Sequence, residues 1–314
     1  MKKANLSSLI RVAAFLLVLA LLLSGLSWLY RPRDNTKEGG MDYIMAHGYL
    51  GQSADGIDAF FVGSSEFYSG ISPMLIWEES GITSYDYAIG AQRAYSADAM
   101  VEKLLRTHHP RLVVLDGYVA LKRGDPDEAV FSMASRLFSI LENHENWKRF
   151  DWEMLAAPVE YTHREINRGF RPDNRNTSIT YAGFMREDDS RARFPLMNRL
   201  YLEHIRAVCQ REDIPLLFIA LPSPENWDYA HHNALQDYAD KAGIELLDLN
   251  LMVDELDIDP ETDFRDEGDH LNSDGAEKVS HYLAHYLAQQ YGLQDHRGDP
   301  AYDDWAEDWA QYPE

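Results

Sequence analysis

The sequence predicts an α/β domain with a central parallel sheet and helices on both faces. Two observations predict it. Short apolar runs alternate with longer segments whose apolar residues recur at helical spacing. The first of these runs, residues 57–62 (IDAFFV), stops abruptly at Gly63-Ser64-Ser65. A buried strand that ends in a sharp turn reads this way, with serines presented at its carboxyl end. In an open α/β sheet that edge is where sites are built.

Taken in order, the chain opens with an uncharged apolar run of 19 residues, 12–30 (VAAFLLVLALLLSGLSWLY). That is long enough to span a bilayer. Lys2, Lys3 and Arg11 precede it, and Trp28 and Tyr30 stand where interfacial aromatics are found. The expectation is a single-pass anchor, residues 1–30, with the body outside the cytoplasm. A cleaved signal peptide is the other reading, since Gly25 and Ser27 are small enough for a cleavage site. Residues 31–55 are polar and Gly-rich, a linker.

The main domain is expected over 56–291. Its first strand is 57–62. A short helix over 73–80 starts at Pro73 and stops at Gly81. A second strand is expected over 83–89, and Gly90-Ala91-Gln92 opens a helix running to about His108. Pro110 ends it, and a third strand over 112–115 closes at Asp116-Gly117-Tyr118. Residues 122–190 break the rhythm: a helix is expected over 131–143, and the rest reads as an insertion forming a lid or substrate wall, or a loop covering the sheet. The alternation then returns with a helix over 195–211, a strand over 215–220, a helix over 224–242, a strand over 244–247 and a last helix over 271–291. The acidic tail, 292–314, carries Tyr302, Trp305, Trp309 and Tyr312, which read as staples onto the body.

The formal net charge is −23. Residues 1–30 hold three bases and no acid, so all of the acidity belongs to the body. Phosphates would be repelled by such a surface, which argues against nucleic acid as a partner. The single cysteine, Cys209, cannot form an intrachain disulfide and reads as a buried structural thiol.

The chemistry rests on Ser65 and on the late segment DFRDEGDHLNSDGAEK, residues 263–278. A serine hydroxyl is a poor nucleophile near neutral pH and needs an imidazole within reach. The imidazole needs a carboxylate to hold its tautomer and stabilise its cation. Of the twelve histidines, His270 has the best context: acids before it, a turn, then a helix. His281 and His285 have chelate spacing but no third ligand, and read as surface histidines. No metal or other cofactor is expected.

The blocks GSSEF after the first strand, Gly90 in AIGAQ after the second, and Asp266 to His270 before the last helix resemble the SGNH/GDSL hydrolase superfamily. The resemblance covers about residues 55–291, apart from the insertion. It is closest to the membrane-anchored branch acting in bacterial surface-polymer acylation, which includes the D-alanyl transfer protein of teichoic acid modification. It implies a three-layer, flavodoxin-like fold with Ser65 as nucleophile. Ser64 takes the block's second position, and the backbone amides of Ser65 and Gly90 are the implied oxyanion donors. The family's usual acid, three residues before the histidine, falls on Glu267. Asp266, one residue further back with Gly268 between, is taken as the catalytic acid, and Asp269 as the alternative. The family's oxyanion Asn has no counterpart at Asp116-Gly117-Tyr118, where an acid would repel an oxyanion, so Gln92 is the candidate replacement donor.

Two functions follow. One is a membrane-anchored serine esterase or O-acyltransferase acting on acyl groups of an envelope glycan or polymer. The other is a non-catalytic protein that keeps the fold and assists a partner such as a membrane-bound O-acyltransferase.

Overall fold

The structure is a computed structural model that describes residues 6–312 apart from 156, 157 and 182. Lys2, Lys3 and the last two residues of the tail lie outside the described residues. The chain divides into two compact units, residues 1–44 with 125–163, and residues 45–124 with 164–314.

The first unit is built on α1 (Leu6–Leu29), apolar around its whole circumference and with no buried residue. Its mean hydropathy of 2.5 and length of 24 residues are enough to cross a bilayer, a test that a signal sequence also passes.

A single turn, α2 (Ile44–His47), stands at the boundary where the second unit begins at Met45. Then follow β1 (Ala59–Gly63), α3 (Ser65–Gly70), α4 (Pro73–Ser80), β2 (Ser84–Ala88), α5 (Ala94–Leu104), β3 (Leu112–Asp116) and α6 (Gly117–Leu121). The 125–163 segment, which belongs to the first unit, contributes α7 (Pro126–Leu137). The second unit resumes with α8 (Leu196–Arg211), β4 (Leu216–Ala220), α9 (Tyr229–Ala242), β5 (Glu245–Asp248), a hairpin of β6 (Phe264–Arg265) and β7 (His270–Leu271), α10 (Ser273–Tyr291) and α11 (Asp303–Trp309).

β1 to β5 form one fully parallel sheet in the order 2-1-3-4-5, the doubly wound order of flavodoxin. β1, β3 and β4 read as apolar runs because both faces are covered, while β2 alternates Tyr85 and Tyr87 with buried Ser84 and Asp86. Phe60, Val62, Val113 and Phe218 enter one core, while Ala59, Phe61, Val114 and Ile219 enter the other. The order reverses between β1 and β3, so the crevice for a site opens at their carboxyl ends. Gly63 is required there: a Cβ would lie 2.6 Å from the Cβ of Asp116 and 2.8 Å from Phe67.

Several boundaries differ from the sequence expectation. The helix expected over 131–143 spans Pro126–Leu137 instead, because Pro126 takes the first turn with Asp127 and Glu128 favouring its N-terminus. α5 starts at Ala94 rather than at Gly90, since Gly90 and Ala91 form a turn with Ala91 in the left-handed region at φ 59°. α9 starts at Tyr229 rather than Pro224, because the Asp228 side chain caps it by accepting from the His231 amide at 2.9 Å. The tail is packed down. Trp305 is buried against Trp77, ring centroids 5.4 Å apart, and the Arg168 guanidinium lies over it at 4.1 Å. Arg168 is itself buried and pairs with Asp308 at 2.7 Å.

Candidate active site

Ser64 caps α3, and Ser65 is its first helical residue. The sharp exit from β1 therefore puts Ser65 at a helix opening on the carboxyl edge of the sheet. The two serines have different roles. The Ser64 hydroxyl is buried and donates to Asp116 at 2.5 Å, and its amide donates to the same carboxylate oxygen at 3.0 Å. The Ser65 side chain is half-buried. Neither the Ser65 nor the Gly90 amide donates to a backbone carbonyl among the described residues, which leaves both available to an oxyanion.

Asp116 is accounted for by these bonds and by the Tyr118 amide, which donates to its other oxygen at 2.9 Å. It caps α6 and fastens β3 to the Ser64 turn. The expectation that this acid would face an oxyanion is corrected: both of its oxygens are turned to the chain. Burial nevertheless raises its carboxyl above the ordinary range, against the pull of the Ser64 and Tyr118 hydrogen bonds. Gln92 is corrected as well. Its side-chain amide donates to the Met100 sulfur at 2.8 Å, and the residue is buried. That amide points into the core and cannot serve as an oxyanion donor there.

His270 stands on the two-residue strand β7, paired with Arg265 of β6. The turn between them carries Asp266, Glu267 and Gly268 in the left-handed region, with φ of 54°, 59° and 94°. For the two non-glycines this is a conformation held at a cost. Its effect is to wrap the acids around the ring. Asp266 Oδ2 lies 3.4 Å and Asp269 Oδ2 3.3 Å from His270 Nδ1. The two carboxylates stand at nearly the same distance, and both are partly open to solvent. Glu267, at the usual spacing, is exposed. The His270 imidazole is held below its ordinary pKa, first by burial and then by the charge of Arg265, with Asp269 and Asp266 opposing. It is therefore neutral near neutral pH, the form a general base needs.

Arg265 links the two halves of the site. Its guanidinium donates to Asp173 and to the hydroxyl of Ser69, on the helix that Ser65 opens. α3 also packs directly against β7.

Several participants were not foreseen from the sequence. Glu66, next to Ser65, is buried. It accepts from the Ser223 hydroxyl at 3.1 Å and from the Asn226 side-chain amide at 3.2 Å. Asn226 also donates to Asp269, and the one Ser223 hydroxyl proton is shared between Glu66 and the Asp269 carbonyl, 2.8 Å away. Burial, then the charges of Asp116 and Asp269, raise the Glu66 carboxyl well above its ordinary range. Tyr118 and Lys122 sit on the same side. The lysine lies over the tyrosine ring at 4.3 Å and donates to its hydroxyl. Burial, with Glu66 and Asp269 nearby, pushes the Tyr118 hydroxyl up to about 12. Burial, then Arg93, lowers the Lys122 ammonium.

A donor atom from each of Glu66, Asp269 and His270 lies within 4.8 Å of the others, so this trio has the spacing to hold a cation. The bonds from Ser223 and Asn226 account for the two acids without one. His281 and His285 both pair with Glu79 of α4, at 3.2 and 3.1 Å, and tie α10 to it. Cys209 is buried in the core, and burial pushes its thiol up to about 12.

No protein-family model and no curated protein matches the chain. Among solved structures it is similar to a protein assigned to the G-D-S-L lipolytic family from Desulfitobacterium hafniense, with a TM-score of 0.42 at 11% identity over 73% of this chain and 99% of that one. It is also similar to a lipase/acylhydrolase from Enterococcus faecalis, with a TM-score of 0.39 at 13% identity over 74% and 96%. Similarity this low transfers no residue's role to this chain.

Proposed function

We propose that the protein is a membrane-anchored, extracytoplasmic serine esterase or O-acyltransferase of the SGNH type, acting on acyl groups of cell-envelope glycans or polymers. One observation carries this reading. Ser65 opens a helix at the carboxyl edge of β1, and that helix packs on the strand bearing a neutral His270 whose Nδ1 faces two acids.

In the first step His270 Nε2 takes the Ser65 proton as Oγ attacks the acyl carbonyl. The Ser65 and Gly90 amides receive the oxyanion, and Asp266 or Asp269 stabilises the imidazolium. Collapse returns the proton to the leaving alcohol and leaves an acyl-serine. Water, or a sugar hydroxyl, then takes the acyl group by the reverse proton path. The apolar α1 holds the domain at the membrane surface in this reading.

A second reading has one specific observation in its favour: among the described residues the Ser65 hydroxyl makes no hydrogen bond. The chain would then be an accessory partner of a membrane-bound O-acyltransferase. Fluorophosphonate labelling separates the two. Labelling that Ser65→Ala abolishes and Ser64→Ala retains supports the enzyme. A folded protein that no such probe labels supports the accessory role.

A further inference from the structure

Segment 125–163 presents an apolar face to solvent in an unusual arrangement. In α7 the exposed large apolar residues are Val130 (65%), Phe131 (51%), Met133 (58%) and Leu137 (76%); Asp127, Glu128 and Arg136 are exposed as well, while Ser135 is buried. Val130, Met133, Ala134 and Leu137 follow helical spacing and form one stripe. Further along, Trp147 and Trp152 are exposed at 60% and 77%. The helix is amphipathic, with its apolar side outward.

This face is attached to α1 within the same unit. Both α1 and α7 pack on the turn Ser139–Leu141. The Ile140 amide donates to the Ser27 hydroxyl at 3.1 Å, and the Asn146 side chain donates to the Tyr30 carbonyl at 3.0 Å. The Phe150 ring meets Tyr30 at 5.7 Å and Trp152 at 5.4 Å. Arg31 lies over the Trp28 ring at 4.7 Å. Ser27 is in the last turn of a helix about 36 Å long, set against a hydrocarbon core of about 30 Å. If α1 spans, that turn sits where hydrocarbon meets headgroups, the level that Trp, Tyr and Arg prefer.

We infer that α7 and the Trp147–Trp152 turns form a membrane-surface module whose occupant is the bilayer that α1 enters. The apolar stripe of α7 lies in the interface beside the end of α1, as amphipathic helices do. Segment 125–163 carries more acids than bases, so headgroup charge does not recruit it; apolar burial and the tether do. The inference rests on α1 remaining attached and in the membrane.

The test uses the full chain in phosphatidylcholine–phosphatidylglycerol vesicles, with Cys209→Ala as background. Single cysteines are introduced as Val130→Cys, Met133→Cys, Leu137→Cys, Glu128→Cys and, within α1, Leu17→Cys, each labelled with an environment-sensitive fluorophore. The three stripe labels should be blue-shifted, quenched by nitroxide lipids and protected from iodide, with no change at high salt. Glu128→Cys, on the opposite side of α7, should be quenched by iodide. Stripe labels open to iodide while Leu17→Cys is quenched by nitroxide lipid would overturn the inference and leave the anchor standing. Stripe labels shielded from both quenchers would mean that protein covers the face, and would overturn it too. A Leu17→Cys label in water would refute the anchor and this inference with it.

Discussion

The two acids beside His270 yield the sharpest test of the candidate triad. They stand 3.4 and 3.3 Å from Nδ1. At a common dielectric their Coulomb attractions for an imidazolium differ by only ~3%. Their exposures are equally close, 40% and 41%. Their other partners differ: Asp266 has Arg265 at 3.6 Å and Arg175 at 3.9 Å, whereas Asp269 accepts from Asn226. Both changes to Asn are mild for the fold. Asn tolerates the left-handed conformation at position 266 as Asp does, and an Asn at 269 can still accept from Asn226.

An Asn opposite Nδ1 damages a triad by favouring the wrong tautomer. His270 Nδ1 makes no hydrogen bond to either acid among the described residues, so both act on the ring by charge, and a second carboxylate still stabilises the imidazolium when one is removed. Asp266→Asn and Asp269→Asn should therefore each cost about tenfold or less, ~1.4 kcal/mol of transition-state stabilisation. The double variant should lose on the order of ten-thousand-fold, as triads without their acid do. The assay is the initial rate on a short acyl ester, together with the rate of fluorophosphonate labelling, for variants whose thermal unfolding matches the parent. A single variant as inactive as the double would show that one acid serves alone. A double variant with parental rates would show that neither does.

Three further outcomes are expected. Because the His270 pKa is lowered, the acid limb of the pH–rate profile should fall below ~6.5, the ordinary histidine value; a limb above it would refute the environment assigned to the ring. Arg265→Met should remove charge-assisted bonds to Asp173 and Ser69 worth ~1.5–3 kcal/mol of stability, and loosening the α3–β7 link should lower kcat more than it raises KM; unchanged unfolding and rates would refute that link. Asp86 is fully buried on β2 with neither carboxyl oxygen hydrogen-bonded among the described residues, and burial raises its pKa well above the ordinary range. Its contribution is thus complete below the unfolded pKa of ~3.9 and is lost as pH rises through the folded value, so Asp86→Asn should gain relative stability from pH 4 to pH 7 in thermal unfolding, and a flat difference would refute it.

What the sequence made legible follows from what each signal measures. Strands β1, β3 and β4 were visible because a parallel sheet buried on both faces favours apolar runs, and β2 (SYDYA) showed instead through its alternating aromatics. The Ser65 turn was visible because only small residues fit beneath it: Gly63 has Asp116 and Phe67 against it. Arg265 and the β6–β7 hairpin were not visible, since two-residue strands carry no periodicity. Asn226 was lost inside a helix expected from Pro224, although the Asp228 cap is a local signal that could have freed it. Glu66 stood in plain view beside Ser65, but its direction depends on where α3 begins. The deeper limit concerns Asp266 and Asp269. Ranking them by spacing treats residue number as reach along an ordinary chain. The left-handed run at positions 266–268 curls the backbone so that residues four and one before His270 come equally close to one nitrogen. Dihedral angles of that kind are not written in residue type: Asp tolerates the left-handed region but takes it at only a few positions, and Glu267 adopts it only because the surrounding fold compels it.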